Sequence, residues 1–254
     1  MECNYHTHTY LCNHASGTIE QYVQEAIKNG LKILGFSDHV PVPFSNGHRS
    51  TFRMDTHEIE IYVNEVLRLK ESYKDKIQIL LGYEMEYYYK EFDATMNLIK
   101  QYPCDYLILG QHFTNNEYDG AYCGAVVSEE NFKQYVKQVI DAINTGVFSY
   151  IAHPDLINYR ENDKIYIKEM TKLCEAAKAK GIPLEFNILG FVDGRNYPCN
   201  TFWKLVSDVG NEVIIGSDAH YVEAVGNPVD FTEANKWLNS CGIKPIDKLK
   251  LRDV

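Results

Sequence analysis

The feature of this sequence that most limits its fold is a regular alternation of short β-rich runs with longer stretches of helical periodicity. This order is typical of β-α-β units, in which helices cover a sheet of parallel strands. The strand candidates are Cys3–His8, Ile33–Ser37, Ile77–Glu86, Tyr106–His112, Ser149–Ala152, Leu184–Asn187 and Val213–Ser217. We therefore predict an α/β fold in which seven strands form a barrel.

Helix signals occupy the intervals between these strands. Candidates with a capping residue at the start or a glycine at the end are 19–29 after Thr18, the stretch from Ser128 to Gly146, and Tyr166–Lys180 before Gly181. The stretch from Val40 to Thr56 contains Pro41, Pro43 and Gly47, and we expect it to form a loop suited to an active-site lid.

Length and composition favour one catalytic domain spanning residues 1–254, because the chain has 254 residues and 45% hydrophobic composition. A net charge of −10 without a Lys/Arg run argues against nucleic acid or an anionic membrane as a partner. The N-terminal sequence lacks a signal pattern, which indicates a cytoplasmic protein. The seven scattered cysteines predict reduced thiols, with neither a disulfide nor a cysteine-zinc framework.

Two short motifs place pairs of potential metal ligands on one side of the chain. In His6-Thr7-His8, the two-residue period of a strand directs both imidazoles the same way. Asp218-Ala219-His220 repeats this spacing just after another strand candidate. Either motif alone is a weak signal, since a surface or core histidine with hydrogen-bond partners is commoner than a ligand.

The positions of the remaining histidines strengthen the prediction. His39, His112 and His153 each lie at or just past the end of a strand candidate, and Glu84 lies near the end of another. Barrel enzymes carry their chemistry on that rim. The predicted metal ligands are His6, His8, His14, His39, Glu84, His112, His153, Asp218 and His220.

Nitrogen and carboxylate ligands without thiolate suit zinc, manganese or iron, and up to three divalent ions are expected. A carboxylate such as Glu84 can bridge two of them. Clustered cations lower the pKa of a shared water and hold the oxygens of a phosphate group. The sequence therefore predicts metal-dependent hydrolysis, with Glu84, Asp218 and His220 as the catalytic residues.

With these residues assembled, the sequence resembles the PHP (polymerase and histidinol phosphatase) family over nearly its whole length. The motifs that carry the resemblance are His6-Thr7-His8 with His14, Ser37-Asp38-His39, Gly82-Tyr83-Glu84, Gly110-Gln111-His112, Ala152-His153-Pro154 and Gly216-Ser217-Asp218-Ala219-His220. The resemblance implies a distorted seven-stranded, TIM-like barrel of the amidohydrolase type. Ser37 departs from the family pattern, in which threonine is frequent, without changing a ligand.

The resemblance also implies how the ligands divide among three ions. His6, His8, Glu84 and Asp218 would hold the first ion. Glu84 would bridge to a second ion that is also bound by His112 and His153. His14, His39 and His220 would hold the third.

Within the family, the length, the GQHF segment and the stretch after His153 resemble members that act on L-histidinol phosphate in histidine biosynthesis. A hydroxide bridging the first two metals would attack phosphorus. The leaving alkoxide would take a proton from Asp218 or a metal-bound water, and the sequence leaves both open. The alternatives are a PHP phosphoesterase for another small phosphate monoester, a nucleotide or a phosphotyrosyl protein, and a metal-binding module without catalysis.

A guanidinium can make two hydrogen bonds to a phosphate group, so arginines near the rim are candidate substrate contacts. Arg160 is the first candidate, Arg195 the second and Arg53 the third. Phe113 is a candidate for the substrate wall. Further guesses for an aromatic or acidic substrate contact are Tyr87, Tyr118, Phe44, Glu86 and Glu161. The substrate is expected to be a small molecule, and the protein a monomer or small homo-oligomer.

Overall fold

The computed structural model describes residues 2–254, and within them seven parallel strands pair in chain order to form one sheet. The strands are β1 (Cys3–Asn4), β2 (Ile33–His39), β3 (Gln78–Met85), β4 (Tyr106–Leu109), β5 (Phe148–Ile151), β6 (Leu184–Asn187) and β7 (Val213–Gly216). All seven strand candidates are present. β1 and β4 end earlier than expected, and β2 continues to His39.

The sheet curls into a nearly closed barrel through one bridge between Thr7 and Ala219, which lie just beyond β1 and β7. The amide of His8 donates to the carbonyl of Ala219 at 3.0 Å, and the Ala219 amide donates to the carbonyl of His6 at 3.3 Å. β1 is two residues long, so the seam can close only past its end. The predicted distorted, seven-stranded TIM-like barrel is confirmed.

The helices lie between the strands in sequence. They are α1 (Ile19–Lys28), α2 (Ile59–Ser72), α3 (Phe92–Ile99), α4 (Glu129–Thr145), α5 (Asp163–Ala179), α6 (Ile188–Val192), α7 (Asn200–Val209) and α8 (Pro228–Ser240). Short 3-10 helices cover Tyr10–Cys12, Thr56–Glu58 and Val222–Ala224. In the described part of the chain, no helix combines the length and apolar character needed to cross a bilayer.

The capping residues explain where the helices begin. The Thr18 hydroxyl accepts from the amide of Gln21, and the Ser128 hydroxyl accepts from the amide of Asn131, as the sequence indicated. α5 begins at Asp163, three residues before the predicted start at Tyr166. The reason is Asn162, whose side chain accepts hydrogen bonds at the helix N-terminus, a signal that the sequence prediction overlooked.

Inside the barrel, the inward-facing side chains are apolar near the N-terminal ends of the strands and polar near the C-terminal ends. On β3, Leu80, Gly82 and Glu84 alternate with residues that face the helices, so they share the inner face. The Tyr106 ring fills the space beside Gly82, and its hydroxyl donates to the carbonyls of Tyr5 and Phe36 at 2.7 and 3.1 Å. This packing closes the lower barrel and leaves Glu84 at the floor of the upper end.

Candidate metal centre

The nine predicted metal ligands converge at the C-terminal ends of the strands. Eight of them line one cavity of about 380 Å³, and the ninth, His6, is fully buried beneath it. Residues from β2, β3 and the segments after β1, β4, β5 and β7 contribute, so the barrel itself sets their spacing. The nine residues that the sequence assigned to one site therefore lie together in the structure.

The Glu84 carboxylate lies between two groups of imidazoles. Its Oε1 is 2.8 Å from His153 Nε2 and 3.6 Å from His112 Nε2. Its Oε2 is 3.0 Å from His39 Nδ1 and 3.5 Å from His8 Nε2. One carboxylate with an oxygen toward each group is the arrangement that can bridge two cations.

A second cluster joins the segment after β1 to the segment after β7. Asp218 Oδ1 is 3.4 Å from His6 Nε2 and 3.2 Å from His8 Nε2, and the two imidazole nitrogens are 3.2 Å apart. Two nitrogens and an oxygen at these spacings could surround one cation at ordinary ligand distances. The backbone hydrogen bonds of the barrel seam hold these three residues together.

A third pair lies at the cavity mouth. His14 Nε2 is 2.9 Å from His220 Nε2, while the other nitrogen of each ring lies within 3.1 Å of a backbone carbonyl oxygen. His39 was expected beside them as a third ligand: one of its ligand atoms lies within 4.8 Å of one on His220, and its Nδ1 also lies 3.0 Å from Glu84 Oε2. His39 therefore lies between the His14–His220 pair and the Glu84 carboxylate.

Three acidic residues outside the predicted set fix the orientation of the imidazoles. Glu185 Oε1 lies 2.8 Å from His6 Nδ1, Glu86 Oε1 lies 3.0 Å from His112 Nδ1, and Asp38 Oδ1 lies 3.4 Å from His8 Nδ1. Such carboxylates hold the far nitrogen of a ligand histidine and leave the near one free for the metal. Strand alternation could have revealed Glu86, which follows Glu84 by two residues. Glu185 had no sequence signal beyond lying on β6.

The site holds the Glu84 carboxylate in the ionised form. Burial raises the pKa of Glu84, but His112, His39 and His6 outweigh it and hold this pKa well below its usual value. Burial lowers the pKa of His6, yet Glu185, Asp218 and Glu84 raise it to about 10. Ligation requires neutral imidazole, so protons and metal compete for these rings, and metal affinity falls at low pH.

Several observations fit this cluster to divalent cations. Among the described residues, the buried atoms Glu84 Oε2, His39 Nδ1 and Asp218 Oδ1 have no hydrogen-bond partner, although such groups are costly to leave unsatisfied. His153 and Asp218 have φ angles of 30° and 50°, which are unfavourable for residues other than glycine and are concentrated at functional sites. The nitrogen and oxygen atoms suit zinc, manganese or iron.

Sequence reasoning missed Cys12, which it grouped with the structural thiols. Cys12 is fully buried, and its sulfur lies within 4.8 Å of ligand nitrogens of His14 and His220. Burial raises the pKa of this thiol, but hydrogen bonds with His14, His220 and His8 outweigh it and lower the pKa to about 4. All seven cysteines are free, as predicted. The signal for Cys12 was its position between His8 and His14.

The three candidate arginines have different surroundings. Arg195 lines the cavity, where its Nη1 donates to the Tyr197 hydroxyl at 3.2 Å. Arg160, the first candidate in the sequence, lines a separate hollow and donates to Asn158 at 2.7 Å. Arg53 is 2% exposed and bound to carboxylates, because the loop that contains it folds inward at this point. Only Arg195 is thus placed to meet a ligand in the cavity.

The other predicted substrate contacts also differ in whether they line the cavity. Phe113 lines the cavity as expected, next to Phe52 and Tyr122 at ring distances of 5.7 and 5.4 Å. The other suggested contacts do not line this cavity: Tyr87, Tyr118, Phe44, Glu86 and Glu161. Glu86 is instead used to bind Arg53 and His112. Asp193, which was not considered, lines the cavity beside Arg195.

A seven-stranded α/β barrel with imidazoles and carboxylates clustered at the strand ends defines a class of metal-dependent hydrolases. The model of the PHP domain matches residues 4–189, and the chain belongs to the PHP family. The expected resemblance is therefore confirmed.

Individual relatives extend this comparison. A probable histidinol-phosphatase of Deinococcus radiodurans is 27% identical, over 94% of each chain. The histidinol-phosphatase of Bacillus subtilis is 26% identical, over 87% of this chain and 94% of its own length. The structure is similar to that of histidinol phosphate phosphatase from Lactococcus lactis complexed with zinc, L-histidinol and phosphate. That comparison has a TM-score of 0.73 and 20% identity and covers 96% of this chain and 95% of the other.

Proposed function

We propose that this protein is a metal-dependent phosphomonoesterase that hydrolyses L-histidinol phosphate to L-histidinol and inorganic phosphate, a step of histidine biosynthesis. The observation that carries the proposal is the Glu84 carboxylate, set between two groups of imidazoles on the floor of a cavity whose wall contains Arg195. Relatives named histidinol-phosphatase over nearly the full length support the choice of substrate.

The chain supplies the groups that hold and orient the reactants. The nine predicted ligands would hold up to three ions of zinc, manganese or iron, with Glu84 between the first two. When bound, these ions lower the pKa of water and neutralise the phosphate oxygens. Arg195 would donate two hydrogen bonds to non-bridging oxygens, a geometry that suits guanidinium. Asp218 and His220, which line the same cavity, would fix the reacting face.

The sequence left open whether Asp218 or a metal-bound water acts as the general acid. Burial raises the pKa of Asp218, but His6, His8 and His220 outweigh it and hold this pKa well below its usual value. A carboxylate of that kind is a poor proton donor. We therefore assign Asp218 to holding a cation and assign the proton of the departing alkoxide to water.

The cavity wall beside the predicted ligands His39 and His112 supports an amino alcohol with an aromatic ring as the substrate. Phe52, Phe113 and Tyr122 form a row of aromatic side chains that can pack on an imidazole. Asp193, at the edge of the same cavity, is paired with Arg195 through Oδ2 at 2.9 Å, which leaves its Oδ1 to accept a hydrogen bond from an ammonium group. A phosphate site, an aromatic wall and an acidic edge match the three parts of L-histidinol phosphate.

Comparison of kcat/KM on four substrates tests this choice. The substrates are L-histidinol phosphate, nitrophenyl phosphate, a nucleoside monophosphate and a phosphotyrosyl peptide, each with zinc, manganese or iron. We expect a clear preference for L-histidinol phosphate. Comparable low rates on all four would favour a phosphoesterase of another specificity. A metal-loaded protein without any phosphatase activity would favour a metal-binding module.

Metal analysis tests the centre itself. Inductively coupled plasma mass spectrometry should find divalent ions in the wild type and fewer in His153→Ala.

We further propose that residues 1–254 form one catalytic domain of a cytoplasmic protein, a monomer or small homo-oligomer. Its partner would be a small phosphate monoester and neither nucleic acid nor membrane, since the net charge of −10 disfavours both.

A further inference from the structure

The 3-10 helix Tyr10–Cys12 places a thiol beside the third pair of histidines. The Thr9 hydroxyl accepts from the amide of Leu11, and Asn13 ends the turn with a φ of 67°. This turn directs His14 back toward Cys12, whose carbonyl oxygen is 2.7 Å from His14 Nδ1. The His14 Nε2 is thereby left free to face His220.

The resulting donor set is compact and runs from the buried Cys12 to His14 at the protein surface. His14 Nε2 and His220 Nε2 are 2.9 Å apart, and the Cys12 sulfur lies within 4.8 Å of ligand nitrogens on both rings. The Cys12 side chain is 0% exposed, so it has no access to solvent. Two imidazole nitrogens and a sulfur suit zinc, and three protein ligands leave the fourth position that catalytic zinc sites keep open.

Charge gives a reason for a thiolate at this position. The first two ions share the carboxylates of Glu84 and Asp218, whereas the expected ligands of the third, His14, His39 and His220, are neutral. His39 also faces Glu84, at 3.0 Å, and one of its ligand atoms lies within 4.8 Å of one on His220, so it stands between the carboxylate and the pair. A cysteine sulfur would give the third ion an anionic ligand.

We propose that Cys12, together with His14 and His220, holds the third metal ion through its sulfur. The inference rests on the proposed metal centre and changes its chemistry, because the donors expected there were nitrogen and oxygen alone. Sulfur would favour zinc over manganese at this position.

X-ray absorption spectroscopy of the zinc-loaded protein tests the proposal without measuring activity. We expect a zinc-sulfur shell at about 2.3 Å beside nitrogen and oxygen at about 2.0–2.1 Å, with about one sulfur for every three zinc ions. The shell should vanish in Cys12→Ser. It should persist in Cys174→Ser, the matched control, since Cys174 is equally buried but lies on α5.

Two results would overturn the proposal: no sulfur shell in the wild type, or a shell that survives Cys12→Ser. If Cys12→Ser does not fold, Cys12→Asp keeps an anionic ligand and should retain the third ion without the shell. Turnover of L-histidinol phosphate is a separate readout: active enzyme without zinc-sulfur bonds refutes only the thiolate, and inactive enzyme with them refutes only the proposed reaction.

Discussion

Arg53 donates two hydrogen bonds of 3.0 Å to the two carboxylate oxygens of Glu86, and both side chains are buried. Glu86 in turn accepts from His112 Nδ1 at 3.0 Å. The segment between β2 and the following 3-10 helix is thus tied through one carboxylate to His112, a predicted metal ligand. A lid function for the segment stays a prediction, but its Arg53 end is anchored.

Removal of the Arg53 cation should destabilise the fold. Arg53→Ala leaves the carboxylates of Glu86 and Glu117 buried without their cation, and we expect a loss of about 3–5 kcal/mol in the free energy of unfolding. Urea denaturation measures it. Arg68→Ala is the control, since Arg68 is 55% exposed and 3.5 Å from Glu20, and should cost at most about 1 kcal/mol. Equal losses would contradict the prediction.

The carboxylate behind His6 should control metal affinity. Glu185→Gln weakens the acceptor 2.8 Å from His6 Nδ1, and we expect metal affinity to fall roughly 10- to 100-fold. Competition with a chromophoric chelator measures the affinity. Glu91→Gln changes another buried carboxylate, which accepts from the Tyr118 hydroxyl, and should leave affinity unchanged. Unaltered affinity in Glu185→Gln would show that this contact does not tune the ligand.

A methyl group at Gly110 should displace the bridging carboxylate. The Cβ of Gly110→Ala would overlap Glu84 Oε1 and Cδ, so Glu84 must move and the bound metal content should fall. Mass spectrometry of the purified variant measures this content. Gly30→Ala is the control: its Cβ meets nothing within 4 Å, and its positive φ costs about 1–2 kcal/mol of stability without loss of metal. Full metal content in Gly110→Ala would refute the bridging position.

The two loop arginines should differ in their effect on catalysis. Arg195→Gln removes the guanidinium that lines the cavity, and we expect kcat/KM to fall roughly 10- to 100-fold from lost charged hydrogen bonds. Arg160→Gln, in the separate hollow, should change kcat/KM by less than about twofold. Steady-state kinetics on the best substrate measures kcat/KM for both variants. A larger effect at Arg160 would reverse this assignment.

The strands and the clustering of the predicted ligands could be anticipated because their signals are local. A ligand two residues from another, or directly after an apolar run, is expected to face the same side by strand geometry, and the structure does bring His6, His8 and Asp218 together just past the strand ends. The fold class followed from the same alternation. The predicted helix starts were accurate where a capping residue was recognised. The predicted start of α5 was three residues too late, because the capping residue Asn162 was overlooked.

The surroundings of the ligands depend on long-range packing and were not predictable. Glu185 reaches His6 across the barrel, and Arg160 was preferred over Arg195 because it follows His153 closely in sequence. The chain turns away after His153, so sequence proximity misled, whereas Arg195 returns to the rim from another loop. Cys12 was grouped with ordinary thiols because one cysteine between two histidines carries no framework pattern.

The single bridge between Thr7 and Ala219 has a consequence for how this protein matures. During synthesis, His6 and His8 leave the ribosome long before Asp218 exists, so an ion held by all three, as proposed, cannot find its complete ligand set until the barrel seam has formed. Metal insertion therefore has to follow translation of nearly the whole chain. Once bound, the ion joins the two sides of the seam, and its binding free energy becomes part of the folding free energy.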